Sequence, residues 1–319
     1  MQNTSVAVLL AKGEAPPDGL DLVAPLADVH LADDAITLAQ ALRRTDVLFV
    51  WDFRTDLLQA PWPEDHSVRW IQTGSIGVDA VLVDQVIDSD IVLTNTRGVF
   101  ERPIAEYVLA VILMFAKDLH GTLALQRERR WVHRETETVT GARALILGAG
   151  GVAREVAPLL RAAGMQVQVV GRTARTGDPL LGDVGASTDV DELLPDADFV
   201  VLALPLTSET RGFLDERRLG LLDPRARIIN IGRGALIDED ALLAALRAGA
   251  IAGAALDVFV TEPLSPEHPF WEMDRVLVSP HMSGDRIGWE RDVLASFADN
   301  LRRWLAGDEL HNVVEKRGA

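Results

Sequence analysis

The sequence predicts an α/β protein of two doubly wound parallel-sheet domains with a cleft between them. Two observations carry that prediction. Short apolar runs alternate with stretches of helical spacing along most of the 319 residues, the pattern of parallel strands joined by crossover helices. The alternation also comes as two series separated by a long apolar helical segment, in a chain long enough for two substantial cores. The expected boundaries are 1–98 plus 286–319 for one domain and 99–285 for the other.

In the first series the strand candidates are residues 6–10, 47–51, 68–72 and 91–94, with helical spacing over 35–43 and 80–87. One helical segment is expected from residue 103 to about 130; Pro103 suits its first turn, where a missing N–H leaves no bond unmade. Residues 108–116 are apolar all round, so that part should be buried between layers or against a partner subunit. The second series has candidates at 144–147, 167–170, 199–202, 228–231, 254–258 and 276–279, near-continuous apolar runs of the kind covered on both faces. A last helix, near 289–305, has the spacing to pack back on the first domain.

Composition excludes several function classes. The chain is 48% hydrophobic and 25% charged, ordinary for a globular protein in water. A formal net charge of −17 opposes nucleic acid and anionic membrane surfaces as partners. With no cysteine there are no disulfides, thiolate metal sites or cysteine nucleophile, and no metal site is expected. The longest strongly apolar segment, 107–116, falls well short of the ~20 residues of a membrane span. The N-terminal apolar run is too short for a signal sequence and lacks a basic segment, so a cytoplasmic location is expected. Lysine occurs only at positions 12, 117 and 316; anions must be met mostly by arginine or backbone N–H groups.

The unusual polar residues follow the strands of the second series, and in an open parallel sheet ligands bind outside the carboxyl ends of the strands. Gly148-Ala149-Gly150-Gly151-Val152-Ala153 fits G-x-G-x-x-G/A directly between a strand and a helix. The first glycine permits the turn, the second lets backbone approach a pyrophosphate, and Ala153 still allows close helix–strand packing. The helix N-terminus then offers N–H groups and partial positive charge. This predicts a Rossmann/flavodoxin-like dinucleotide-binding domain over 99–285. The next strand ends in Gly171-Arg172-Thr173-Ala174-Arg175, with no acid before Asp178. An acid there would hold the ribose 2′-hydroxyl of NAD; two arginines suit the 2′-phosphate of NADP. NADP(H) is therefore the expected cofactor, with NAD(H) the alternative.

Arg233, Glu262 and His281 also lie at this edge. Singly each has a mundane reading: surface arginine, Glu-Pro turn, loop histidine. Jointly, at successive strand ends beside a dinucleotide site, they form an anion clamp with an acid–base pair. Arginine's planar fork suits a carboxylate, imidazole exchanges protons near neutrality, and a carboxylate beside it favours the imidazolium and orients the ring.

These blocks, LPLTSETRGFL, INIGRGALIDEDALLAAL, AGAALDVFVTEPL and SPHMSG, resemble the D-isomer-specific 2-hydroxyacid dehydrogenase family over nearly the whole chain. The resemblance implies that Arg233, Glu262 and His281 are catalytic and that Asp257 contacts the nicotinamide carboxamide. It extends the cofactor-binding set to Leu204, Pro205, Thr210, Ile231, Gly232, Ser283 and Gly284, beside Gly148, Gly150, Gly151, Val152, Arg172, Thr173 and Arg175. The arginine loop departs from the family's NAD-type aspartate and is similar to that of its NADPH-using glyoxylate/hydroxypyruvate reductases. In the first domain, the loop after residue 72, with Ser75, Ile76 and Gly77, resembles the family loop whose amides grip the substrate carboxylate, and successive amides around glycines do form anion nests. Trp51 resembles the pocket tryptophan of the A-type reductases; a core aromatic is the other reading. Met282, Arg286 and Trp289 are further candidates for the pocket border. The first domain, 1–98 plus 286–319, would thus bind substrate, and a homodimer is implied. The expected reaction is reduction of a small 2-oxo acid to the D-2-hydroxy acid. Two alternatives stand beside it: a dehydrogenase of a larger or phosphorylated hydroxyacid, and a non-enzymatic dinucleotide-sensing scaffold resembling corepressors of this fold.

Overall fold

Residues 4–316 are described by the structure, a computed structural model, and they fall into two units, Met1–Phe100 with Arg286–Ala319 and Glu101–Asp285. In the first unit, strand β1 (Ser5–Leu9) is fully buried from Val6 to Leu9, which requires a strand on each side. β2 (Asp28–Ala32) and β3 (Val47–Val50) pair with it, and β4 (Trp70–Thr73) and β5 (Val92–Thr94) extend an all-parallel sheet in the order β2-β1-β3-β4-β5. This is the flavodoxin-like order. Helix α1 (Ala35–Leu42) opens with a capping box between Asp34 and Thr37 and buries Leu38, Ala41 and Leu42. α2 (Asp84–Ile87) is one turn, shorter than the spacing over 80–87 suggested. Val78, Val81 and Val83 are β-branched and resist helical χ1 packing, and Val83 is an extended N-cap. The C-terminal helix (Trp289–Ala306) belongs to this unit; Phe297 stacks on Phe49 at 4.4 Å, and buried Asn300 donates to Gln72 Oε1 at 2.9 Å.

The second unit begins with α3 (Glu101–Ala116) and α4 (Leu119–Arg127), bent by 64°. The single helix expected from the sequence is therefore two. Asp118 takes a left-handed backbone (φ 45°), its carboxylate accepts from Gly121 N at 3.2 Å, and Arg134 Nε donates to it at 2.6 Å. An aspartate used as a new N-cap ends one helix and starts the next. Among the described residues no single helix is long and apolar enough to cross a membrane. The apolar stretch of α3 buries Val108, Val111, Ile112 and Phe115 and packs on the helix Gly151–Ala162, while Ala110 is exposed and Leu109, Leu113 and Met114 are half-buried.

Strands β6 (Arg143–Leu147), β7 (Gln166–Gly171), β8 (Arg175–Asp178), β9 (Gly182–Ala186), β10 (Phe199–Leu202), β11 (Arg227–Asn230), β12 (Gly253–Leu256) and β13 (Val276–Val278) form one sheet in the order β13-β12-β11-β10-β6-β7-β9-β8. All pairs are parallel except β8 with β9. Along it run α5 (Gly151–Ala162), the single turns α6 (Val190–Leu193) and α7 (Glu216–Leu219), and α8 (Glu239–Ala248). The chain winds one way from β6 through β7 and the other way from β10 through β13. The crevice between β6 and β10 is thus the topological switch point.

Three strands escaped the sequence reading. β2 is mostly exposed, and β8 and β9, with the sequences RTGD and GDVGA, bury only Val184. Edge strands need no continuous apolar run, so hydrophobic pattern does not reveal them. β13, also at an edge, is only half-buried, unlike the doubly covered strand expected there.

Candidate active site

At the switch point β6 ends in Gly148, whose φ is 117°, and a Cβ there would lie 2.3 Å from Ala203 O beyond β10. No other residue can make this turn. Gly150 is the N-cap of α5 and supplies no side-chain cap; a Cβ on it would meet nothing within 4 Å. The first amides of a helix have no partner inside it; the approach is open at Gly150, while the Glu101 carboxylate borders Gly151, 3.0 Å from where a Cβ would lie. Ala153 is fully buried, as close helix–strand packing requires. The chain thus fits a dinucleotide pyrophosphate: a glycine-rich turn that is open at Gly150, the first amides of a helix and the positive end of its twelve residues.

β7 ends against this turn. A Cβ on Gly171 would lie 3.2 Å from Ala149 Cβ, and Arg172, Thr173 and Arg175 follow with exposed side chains. Arg175 is on β8, not in a free loop, and its Nη2 donates to Ala149 O at 3.4 Å. Asp178, the first acid after the fingerprint's second strand, is already committed. It accepts from Leu181 N and Leu180 N and pairs with Arg154 at 2.6 Å. The Leu181 amide first, then Leu180 and the Arg154 guanidinium, hold its carboxyl below the usual range.

Arg233, Glu262 and His281 come from the connections after β11, β12 and β13, three neighbouring strands. Strand spacing alone puts those ends within ~10 Å of one another. Arg233 sits in a turn braced by buried Asn230, whose Oδ1 accepts from Gly232 N at 3.1 Å and whose Nδ2 donates to Arg233 O at 2.9 Å. The Arg233 guanidinium donates to Gly232 O at 2.9 Å. Gly234 has the strictest requirement here, because a Cβ on it would lie 1.9 Å from the Phe259 carbonyl carbon. Gly234→Ala should therefore push the 259–262 segment away and destabilise the protein by about 1–3 kcal/mol or more. Chemical denaturation at an unchanged midpoint would contradict this.

His281 Nδ1 lies 2.8 Å from Glu262 Oε2, with both side chains mostly buried, and Glu262 Oε1 accepts from Phe259 N at 3.0 Å. His281 itself has φ 54°, a left-handed conformation that costs a non-glycine residue about 1–3 kcal/mol. Asp257 holds it there. Its carbonyl accepts from His281 N at 2.8 Å, Oδ1 from Met282 N and Oδ2 from Ser283 N, both at 2.9 Å. Much of the Asp257 carboxylate is thus engaged in shaping the turn that carries the imidazole, a role the sequence reading did not foresee.

The remaining cofactor candidates lie along the same edge: Leu204, Pro205 and Thr210 after β10, Ile231 and Gly232 after β11, Ser283 and Gly284 after β13. The Thr210 hydroxyl donates within its own turn, to Pro205 O at 2.6 Å.

In the first unit, the loop after β4 has its carbonyls tied down. Thr96 Oγ1 donates to Thr73 O (2.7 Å), Thr96 N to Ser75 O (3.0 Å), Asn95 Nδ2 to Ile76 O (2.8 Å) and Ser75 Oγ to Gly77 O (2.6 Å). These bonds engage the carbonyl oxygens of Thr73, Ser75, Ile76 and Gly77 and fix the loop against the end of β5. The polar run Thr94-Asn95-Thr96 at the end of β5 was the available signal for this bracket. Trp51 is 6% exposed; it stacks on Trp289 at 5.1 Å, its indole N–H reaches Glu14 at 3.3 Å, and a Cβ on Gly74 would touch it. It backs the loop as part of an aromatic core.

An edge that offers orphan amides to phosphates and an imidazole–carboxylate pair to a substrate belongs to an NAD(P)-dependent oxidoreductase. Residues 109–283 match the D-isomer specific 2-hydroxyacid dehydrogenase, NAD binding domain, family. The chain belongs to the D-isomer specific 2-hydroxyacid dehydrogenases. It is 31% identical over 322 residues to a glyoxylate reductase of Aeropyrum pernix, covering 95% of this chain and 94% of that one. It is 32% identical over 260 residues to a glyoxylate/hydroxypyruvate reductase B of Pectobacterium carotovorum, covering 77% and 79%. Among solved structures, an NADPH-dependent glyoxylate/hydroxypyruvate reductase of Sinorhizobium meliloti, in complex with NADP and sulfate, is similar with a TM-score of 0.83 at 27% identity, covering 98% of each chain. A family member from Xanthobacter autotrophicus, in complex with NADPH and MES, gives 0.80 at 29% identity and 99% coverage of each.

Proposed function

We propose that the protein reduces a small 2-oxo acid, glyoxylate or hydroxypyruvate, to the D-2-hydroxy acid with NADPH. The observation that carries this reading is the His281–Glu262 pair at 2.8 Å, at the sheet edge where Arg233 also emerges. NADPH, when bound, supplies the hydride to the carbonyl carbon. Gly148, Gly150, Gly151 and Val152 would hold its pyrophosphate through backbone amides, and Arg172, Thr173 and Arg175 its 2′-phosphate. Leu204, Pro205, Thr210, Ile231, Gly232, Ser283 and Gly284 would line the rest of that site, with the one acceptor position left on Asp257 turned to the carboxamide.

Arg233 clamps the substrate carboxylate and polarises the carbonyl. With Nδ1 committed to Glu262, proton exchange falls to His281 Nε2, which protonates the carbonyl oxygen as the hydride arrives. Glu262, 2.8 Å from Nδ1, holds the ring in place. In the first unit, the loop of Ser75, Ile76 and Gly77 would offer backbone amides to a carboxylate, with Trp51 behind it against Gly74. NADPH consumption measured with a panel of 2-oxo acids tests the reading: preference for a phosphorylated or long acid, or no turnover with any, would defeat it.

The committed Asp178 and the exposed arginines support NADPH over NADH. Arg172→Asp should lower the NADPH-to-NADH efficiency ratio at least about tenfold, one charge-assisted hydrogen bond or more. An unchanged ratio would defeat the assignment. A cofactor kept reduced inside the cell supports a cytoplasmic site of action. Exposed Leu119, Leu123, Trp131 and Val132, beside exposed Arg127, Arg129 and Arg130, support a homodimer of this acidic chain through that segment. Light scattering should give the mass of two chains, and of one for Trp131→Asp.

A further inference from the structure

The chain contains one tyrosine, set in the apolar run of α3, and neither the cofactor site nor the acid–base pair uses it. Its hydroxyl lies 2.6 Å from Ser279 Oγ, 172 residues away, and Ser279 Oγ lies 2.6 Å from Asp257 Oδ1. Ser279 and Asp257 are both buried. The direction of these bonds follows from counting protons. Asp257 already accepts from Met282 N and Ser283 N, and a carboxylate only accepts. The single Ser279 proton must go to it, so the Tyr107 hydroxyl donates to Ser279. Burial pushes the Tyr107 hydroxyl up to about 12, which keeps it a donor throughout the working pH range.

The three groups form one chain of donation that ends on the carboxylate shaping the left-handed turn at His281. Ser279 and His281 flank Pro280, and His281 N donates both to Asp257 O and to Ser279 O. We propose that Tyr107 is a positioning residue: through Ser279 and Asp257 it fixes the turn that aims His281 at the substrate carbonyl. This rests on the acid–base role of His281 proposed above. Such linked polar groups act as a unit, and a gap at one end loosens the whole.

The test is a double-mutant cycle on the full-length protein, each substrate varied with the other saturating, following kcat, KM for each substrate, the pH profile of kcat/KM and thermal stability. Tyr107→Phe should lower kcat about tenfold with the NADPH KM little changed, and Ser279→Ala should do the same. The double variant should be no slower than Ser279→Ala, because both changes cut one path. Ser279→Thr, which keeps a hydroxyl, should recover most of the rate. Multiplied losses in the double variant would overturn the proposal, as would a Tyr107→Phe enzyme with wild-type kcat and pH profile. If Tyr107→Phe does not fold, the Ser279→Ala and Ser279→Thr pair decides: equal kcat in the two overturns it. His281→Ala serves as the control; full activity there would defeat the His281 reading itself, whereas an inactive control with unaffected Tyr107→Phe defeats only the relay.

Discussion

His281→Ala is expected to lower kcat for 2-oxo acid reduction by about 10²–10⁴-fold, the range of a lost general acid. NADPH binding should survive, because the orphan amides of α5 and the arginines after β7 do not involve the imidazole. Glu262→Gln keeps nearly the same shape but removes the charge 2.8 Å from Nδ1, so it should also cost rate while leaving both KM values close to wild type. The pH dependence gives a second reading of the same pair. In the proposed mechanism reduction consumes the imidazolium, so its kcat/KM should fall as pH rises; oxidation of the hydroxyacid would need the neutral ring, so its kcat/KM should rise. Steady-state kinetics in both directions checks this. Parallel pH profiles, or an active His281→Ala enzyme, would remove His281 from the chemistry.

Arg233→Lys should lower kcat/KM for the 2-oxo acid by about 10²–10³-fold, since an ammonium cannot reproduce two parallel charge-assisted bonds to a carboxylate. The loss should appear in both the 2-oxo acid KM and kcat, because in the proposed mechanism the same fork binds the carboxylate and polarises the carbonyl. The rigid turn sharpens the effect: Asn230 braces the backbone on both sides of the arginine, and Gly234 admits no side chain. A lysine on that turn stays charged but loses the planar fork. Equal kinetics of the two enzymes would show that the guanidinium meets no anion in the reaction.

The parts legible from sequence are those written in local pattern. The runs at 199–202 and 228–231 are strands because each is apolar throughout, and β10 and β11 are buried centre strands within a residue of those limits. Gly148 and Gly150 were readable because a strand, a turn and a helix meet there in consecutive residues. Arg233, Glu262 and His281 stood out because polar residues directly after buried strands have few structural reasons to be there. The break at Asp118 was hidden, since an aspartate is compatible with a helix interior until its own φ and the distant Arg134 make it a cap. β8 and β9 were hidden too, because a Gly-rich edge hairpin has neither apolar run nor alternation.

By itself, then, the order of residues determined the strand–helix alternation, the bare turn at the switch point and the kinds of chemical group that line one sheet edge. Only the tertiary structure decided which oxygen of Glu262 meets His281, how Asp257 is divided between its neighbours, and that Tyr107 reaches Ser279. The physical reason is range. Periodicity and turn chemistry act over a few residues, whereas hydrogen bonds between side chains far apart in sequence exist only after strands have paired in a particular order.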